Sequence, residues 1–496
     1  MTIKLDDAFD SHQREDWLAL AEKSLSDGQT LGTLSSTTLD GRSIEALYSD
    51  RPDTVPSTIY APLPVNSSSS SDTSSNTSSD SSIDLPLWDN RATVWMCTPQ
   101  LANQATLTAL EGGATSIELH LGDHAGWSAT GLPEALKGVY LDAASISLRE
   151  PQIGSDTADI LMDLWHANSI TPHDAKGTFN LDPVGDHLRG QTSNAFSLDD
   201  SLQTLQAFVE HTHSRYPTVP AVLVDGCCHH NAGATATQEL LAVIATGSLY
   251  LEALKNTSID PALISRTLQL QMSTDANTLM GVVKLRSLKM LWQHLLAQLD
   301  LPVVGPSLVV ETSRRHLSAL DPWVNHLRNT AAVSAAAFVN AETIIVHPHN
   351  VIDGKCLDEN KDDVELGLRV ARNLPIILSE ESRLTDVQDP FAGSYAIEHL
   401  CQDLCSAVWS ALSENNTARA WFDTVTSGEW RDSLYQSHLS RSAQLNTDDR
   451  VMVGVNRYRS NENVPSPIDP PSAATVAAPS TLQMVRDGEH YEERSS

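Results

Sequence analysis

From about residue 116 onward, short apolar runs alternate with longer stretches in which apolar residues recur every three or four positions. The short runs are Ser116–Gly122, Gly138–Ala143, Gly177–Leu181, Ala221–Asp225, Thr267–Met272, Ser307–Glu311 and Glu342–His347, with a weaker one near Ile376–Ser379. Each has strand length and helical periods fill the intervals, which is the pattern of βα units on a parallel sheet. These candidates approach the eight strands of a closed (β/α)8 TIM barrel. A doubly wound open sheet shares the alternation, but no Gly-x-Gly-x-x-Gly follows the first strand and no P-loop occurs. The expected fold is therefore an α/β TIM barrel.

Two polar stretches frame the alternating region. Every residue from Asn66 to Ser82 is Ser, Thr, Asn or Asp, a composition that buries too little apolar surface to offset its ordering entropy. Before it, Glu15 to Leu25 carries Trp17, Leu18, Leu20, Ala21 and Leu25 at helical spacing, and an extended stretch follows at Arg42–Ser49. After Tyr458, residues 461–480 are rich in Pro, Ala and Ser. The expected organisation is an N-terminal arm (1–65), a disordered Ser-rich insert (66–86), a barrel domain (87–460) and a linker with a short tail (461–496).

At 496 residues the chain is too long for one small module, and matches about three domains of ~150 residues or one barrel of ~250 with additions. With 32 Lys and Arg against 63 Asp and Glu, the formal charge is −31. That balance argues against nucleic-acid and anionic-membrane partners, which require basic patches. No run approaches the roughly 18 apolar residues of a membrane span, and Met1–Asp10 is acidic without an apolar segment, so a cytoplasmic location is expected. The six cysteines are too few for a disulfide framework in a chain of this length, and reduced thiols are expected.

The densest chemistry lies in Val224-Asp225-Gly226-Cys227-Cys228-His229-His230-Asn231-Ala232-Gly233-Ala234, directly after a strand candidate and before a helical stretch. In a barrel this is the face where strand ends supply functional groups. Two Cys and two His in succession suggest zinc, yet tetrahedral zinc uses spacings such as Cys-x2-Cys, because adjacent side chains point apart. Two other readings stay open. Asp225, His230 or Asn231, with His347 from a later strand end, face a ligand in the barrel mouth; or the polar residues cap the helix while Gly233 and Ala234 allow tight helix–strand packing. Cys401-x3-Cys405 lies on one face of a helical pattern and reads as core packing.

Longer strings carry a resemblance. Asp321-Pro322-Trp323-Val324-Asn325-His326-Leu327-Arg328-Asn329-Thr330, Ala371-Arg372-Asn373 and Asp389-Pro390-Phe391-Ala392-Gly393-Ser394-Tyr395-Ala396-Ile397-Glu398 resemble the barrel domain of cobalamin-dependent methylmalonyl-CoA mutases. So do Lys284-Leu285-Arg286 with Leu291-Trp292, Gly233-Ala234 with Gln238-Glu239-Leu240, and Val453-Gly454-Val455-Asn456. The matches keep their order over roughly residues 15 to 458.

The resemblance implies a barrel threaded by an acyl-CoA, with adenosylcobalamin held by a separate flavodoxin-like domain. A catalytic chain of the family carries a Tyr-His pair ahead of the Gly-Ala string and a cobalamin-ligating Asp-x-His-x-x-Gly. Counted back from Gly233, the Tyr-His positions fall on Cys227 and Cys228, so no catalytic residue is carried over. Asp10-Ser11-His12 lacks the Gly, with Glu15 in its place, and no flavodoxin-like domain fits after Tyr458. Asn180-Leu181-Asp182-Pro183-Val184-Gly185 also resembles the noncatalytic chain. The resemblance thus implies a small (beta) subunit that binds no metal or cofactor itself and pairs as a heterodimer with a large (alpha) subunit carrying adenosylcobalamin. An active barrel using a separate cobalamin-binding chain, or a scaffold outside turnover, are the alternatives.

Overall fold

Ser116-Ile117-Glu118-Leu119-His120 alternates polar and apolar side chains, and in the computed structural model it is a strand whose Ile117 and Leu119 are fully buried in the core. The structure describes residues 12–52, 88–95, 98–122, 127–192, 196–350, 361–414, 417–459, 481–489 and 491. The Ser-rich insert 66–86, residues 461–480, Cys97, Cys356 and Asp10-Ser11 lie outside these described residues.

Eight parallel strands form one sheet: β1 (Asp89–Val94), β2 (Ser116–His120), β3 (Ser145–Arg149), β4 (Gly177–Thr178), β5 (Val222–Asp225), β6 (Leu268–Thr274), β7 (Ser307–Thr312) and β8 (Thr343–Ile345). Their spatial order is β4-β3-β2-β1-β8-β7-β6-β5. The ring closes between its ends, where Leu181 bridges Val222 in parallel. There the Leu181 amide donates to the Ala221 carbonyl at 2.9 Å, and the Leu223 amide donates to the Leu181 carbonyl at 3.0 Å. The expected TIM barrel is the fold the chain adopts. No flavodoxin-like unit occurs among the described residues.

The barrel helices are α1 (Pro99–Glu111), α2 (Ser155–Ala167), α3 (Leu198–Arg215), α4 (Ala236–Leu254), α5 (Thr278–Gln298), α6 (Val324–Phe338) and α7 (Lys361–Glu380); α8 (Tyr395–Glu414), α9 (Ala418–Ser427) and α10 (Glu429–Asn446) form an outer layer. Helix α4 starts at a reciprocal capping box between Thr235 and Gln238, which satisfies two otherwise orphaned amides. It is apolar all round because the barrel lies on one side and α8 and α9 on the other. Gly233, at φ +111°, lets α10 approach: a Cβ there would sit 2.7 Å from the Leu434 carbonyl. The close approach is to a helix, where helix–strand packing was expected for this glycine.

Two sequence expectations need correction, and one strand was not expected at all. Gly138–Ala143 is not a strand but a turn region, and the strand is the following Ser145–Arg149. Its inward residues Ser145, Ser147 and Arg149 are polar, so no continuous apolar run marks it. The run near Ile376–Ser379 belongs to α7, whose helix carries Pro375 internally and buries Leu374 and Leu378. The remaining strand, β1, escaped notice because only Ala92 and Val94 break its polar sequence.

The arm forms the expected helix at Arg14–Ser24, followed by a short ribbon pairing Ser36–Thr37 with Ser43–Ile44. The arm helix buries no residue, and Leu20 is 65% exposed. Behind it, Arg42 pairs with Asp403 of α8 at 2.7 Å, and His399 of α8 bonds the Asp50 carbonyl at 2.9 Å. At the other end of the chain, residues 481–489 are a strap hydrogen-bonded to the barrel, not the free tail their composition suggested.

Candidate functional site

Period-two alternation gives every barrel strand one face toward the helices and one toward the lumen. In β6, Leu268, Leu270 and Met272 are buried in the core, while Gln269 and Gln271 bond across the strands to Ser307 and Glu311. TIM-barrel interiors are commonly packed with branched apolar residues. Here the lumen is polar, and its upper layer is built from strand ends: Glu118 and His120 of β2, Arg149 of β3, Asp225 of β5, Gln271 of β6, Glu311 of β7, and His347 after β8.

These groups neutralise one another. Asp225 accepts from Arg149 and from Arg189, each at 2.5 Å, and from the Cys227 amide at 2.8 Å. Burial favours the neutral acid, but Arg149 and Arg189 hold Asp225 down at about 2. Glu118 bonds His120 at 3.0 Å; burial opposes its charge, yet that bond and the His120 charge, with Arg149 and Arg91, keep it at about 2. Glu311 takes Gln271 Nε2 at 3.1 Å and lies 3.3 Å from His347 Nε2. Trp95 stacks on His347, with the Arg314 guanidinium 5.7 Å from its ring centroid. Asp182, buried beneath this layer against Tyr250 Oη at 2.7 Å, is raised to about 6 by burial, which outweighs Arg189.

The cavity left above Asp225 measures about 170 Å³ and is roofed by Leu482 and Met484 of the strap. Cys227 and Cys228 sit on its wall with Asn231, whose buried Oδ1 has no hydrogen-bond partner. Burial, reinforced by nearby carboxylates, pushes both thiols far above the usual cysteine value, so neither is a thiolate.

His230 lies elsewhere. Its ring is buried between Ser313 Oγ at 2.7 Å and Glu239 Oε2 at 3.2 Å, and Glu239 also accepts from Lys284 at 2.5 Å and from the Ser273 amide at 3.1 Å. His229 is packed among Trp421 and Trp430. Among the sequence candidates, then, Asp225, Cys227, Cys228, Asn231 and His347 converge on the lumen and His230 does not. Among the described residues no three His, Cys, Asp or Glu side chains are arranged to hold a metal. Cys401 and Cys405 point at the Val283 and Ser287 carbonyls of α5, both at 3.6 Å, which is core packing.

Sequence reading missed Arg149, Arg189, Glu118, His120, Gln271 and Glu311. For the last four a signal existed: each lies on the polar phase of an expected strand. For Arg189 and for Leu482 and Met484 there was none, since only the fold brings them to the mouth.

Comparison with known proteins places this geometry in context. A family model described as methylmalonyl-CoA mutase matches residues 124–493. The chain is 33% identical over 414 residues to the methylmalonyl-CoA mutase small subunit of Streptomyces virginiae, covering 82% of this chain and 64% of that protein. It is 26% identical over 480 residues to the small subunit of Propionibacterium freudenreichii subsp. shermanii, covering 95% and 70%. With the methylmalonyl-CoA mutase of Cereibacter sphaeroides it shares 28% over 265 residues, 36% of that protein. The chain thus spans just under two thirds of the Streptomyces relative.

Proposed function

The chain belongs to the methylmalonyl-CoA mutase family, and we propose that it is the small, non-catalytic subunit of a heterodimeric adenosylcobalamin-dependent enzyme. In this reading a large subunit holds the cofactor and interconverts methylmalonyl-CoA and succinyl-CoA by radical rearrangement, and the present chain stabilises it.

The observation that carries the proposal is the self-neutralised, roofed lumen. Arg149 and Arg189 are both spent on Asp225, which leaves Arg314, hydrogen-bonded to His347, as the cation on the cavity wall that pairs with no carboxylate among the described residues. Ligand pockets usually measure 300–1,000 Å³. The cavity above Asp225, about 170 Å³, is below that range, while a second cavity of about 450 Å³ is lined by Trp95, His347 and Arg372. Both ring nitrogens of His230 are taken, by Glu239 and Ser313, and His229 Nδ1 accepts from Trp430, so neither of these two histidines turns toward the lumen as a ligand.

Reconstitution with a candidate large subunit tests the proposal. Cys228→Ala or Asp182→Asn in this chain should leave mutase turnover within a few fold at equal heterodimer content. A loss of about 10²-fold or more, the size expected for a general acid or base, would overturn it in favour of an active barrel. The isolated chain should show no change in a spectral titration with adenosylcobalamin.

A further inference from the structure

The strap closes the lumen through one buried carboxylate. Its backbone makes three anchoring bonds: the Leu482 amide to the Leu188 carbonyl at 2.7 Å, Val485 to Asn231 at 2.8 Å and Asp487 to Arg315 at 2.9 Å. The Asp487 side chain is wholly buried. Around it lie Arg450 Nη2 at 3.1 Å, His316 Nδ1 at 3.2 Å, Arg441 Nε at 3.3 Å and Arg315 Nε at 3.7 Å.

Three guanidinium groups meet one carboxylate that only partly engages them: Arg315 Nε, Arg441 Nε and Arg450 Nη1 are buried without an aligned hydrogen bond, and so is the Asp487 Oδ1 that the first two face. Asp275, 3.9 Å from Arg315, is the neighbouring acid that answers part of the remaining charge. Burial, with Arg315 close by, pulls the Arg441 guanidinium down to about 9. Two carboxylate oxygens lie in one plane, whereas a tetrahedral oxyanion presents acceptors in four directions and pairs with guanidinium forks. The cluster is also approachable: a cavity of about 460 Å³ between the arm ribbon and the barrel has Arg315, His316, Arg441 and Arg450 on its wall, together with the carboxylates Asp40, Glu239, Asp275 and Asp449.

We propose that this cluster is a binding site for a tetrahedral oxyanion such as a phosphate group, filled in the resting chain by Asp487, so that residues 481–488 form an anion-latched lid over the lumen. An oxyanion entering from the arm side displaces the Asp487 carboxylate and frees Leu482 and Met484 from the roof. The inference does not depend on which chain carries catalysis.

Cys228, half-buried on the wall of the roofed cavity, is the reporter. The full chain is treated with a neutral maleimide at fixed pH, and labelling at Cys228 is followed by peptide mass spectrometry. Asp487→Asn should be labelled about tenfold faster than the unaltered chain. Inorganic phosphate should raise the melting temperature of this variant by several degrees and should speed Cys228 labelling of the unaltered chain, while chloride at equal ionic strength should do neither. Labelling of Asp487→Asn at the unaltered rate, or an equal response to chloride, would overturn the proposal. Should that variant fail to fold, Arg450→Gln loosens the latch from its partly exposed side. It should also speed labelling and blunt any effect of phosphate; an unchanged rate would again overturn the proposal.

Discussion

His229 should make this fold acid-labile well above the carboxylate range. Its ring is buried, and Trp430 Nε1, which can only donate, points at His229 Nδ1 at 3.1 Å. That nitrogen must therefore be an unprotonated acceptor, and protonation would both break the bond and bury a charge. Burial lowers the group from 6.5 to about 4, against the opposing pull of Asp225 and Glu239. Between those values the unfolded chain binds the proton and the folded chain does not. A depressed folded value means stability that is fully present above pH 6.5 and lost as pH falls toward 4. At 1.36 kcal/mol per unit the loss from this residue is about 2 kcal/mol between pH 7 and 5, and about 3 kcal/mol by pH 4. His229→Gln removes the titration and keeps an oxygen able to accept from Trp430. Urea unfolding of both proteins at pH 7, 6, 5 and 4.5 isolates the contribution as the change in their stability difference. The variant should be the less stable at pH 7 and should gain about 2 kcal/mol on the parent by pH 5. A stability difference that stays constant across this range would refute the reasoning.

Three further outcomes follow from the same coordinates. Glu239→Gln strips the shared partner of Lys284 and His230 and leaves a buried ammonium uncompensated, so it should cost about 3–5 kcal/mol in urea unfolding at pH 7. Gly233→Ala drives a Cβ against the Leu434 carbonyl at a left-handed φ, and a loss of about 1–3 kcal/mol is expected, read as a lower melting temperature. Deleting residues 1–34 removes a helix that buries nothing, so the melting temperature of the isolated chain should hold while co-purification with the large subunit falls. Retained co-purification would place the interface elsewhere.

How much of this was legible beforehand depends on which physical signal each feature leaves. The Thr267–Met272 and Ala221–Asp225 runs announce strands because parallel strands covered by helices need apolar outward residues wherever they occur. Ser145–Arg149 and Asp89–Val94 form equally regular strands, but a polar lumen erases half of that signal, and the apolar Gly138–Ala143 run drew the reading off target. Asp225 and His347 were legible as strand-end residues, since barrel geometry puts strand ends at one mouth. His230 has the same composition and neighbourhood. Only the turn of the short Cys227–Asn231 helix sends it under α4 toward Glu239.

The sequence by itself determined the βα alternation and the family motifs, because these are properties of residue type and spacing along the chain. Tertiary structure alone decided that Arg149 and Arg189 are consumed by Asp225, and that Asp487 anchors a strap among Arg315, Arg441 and Arg450. Charge compensation acts over a few ångströms of space, and Asp487 stands 172 positions from Arg315 in the sequence (487 − 315). No local pattern records such a pairing until the barrel has closed and brought the two ends of that interval together.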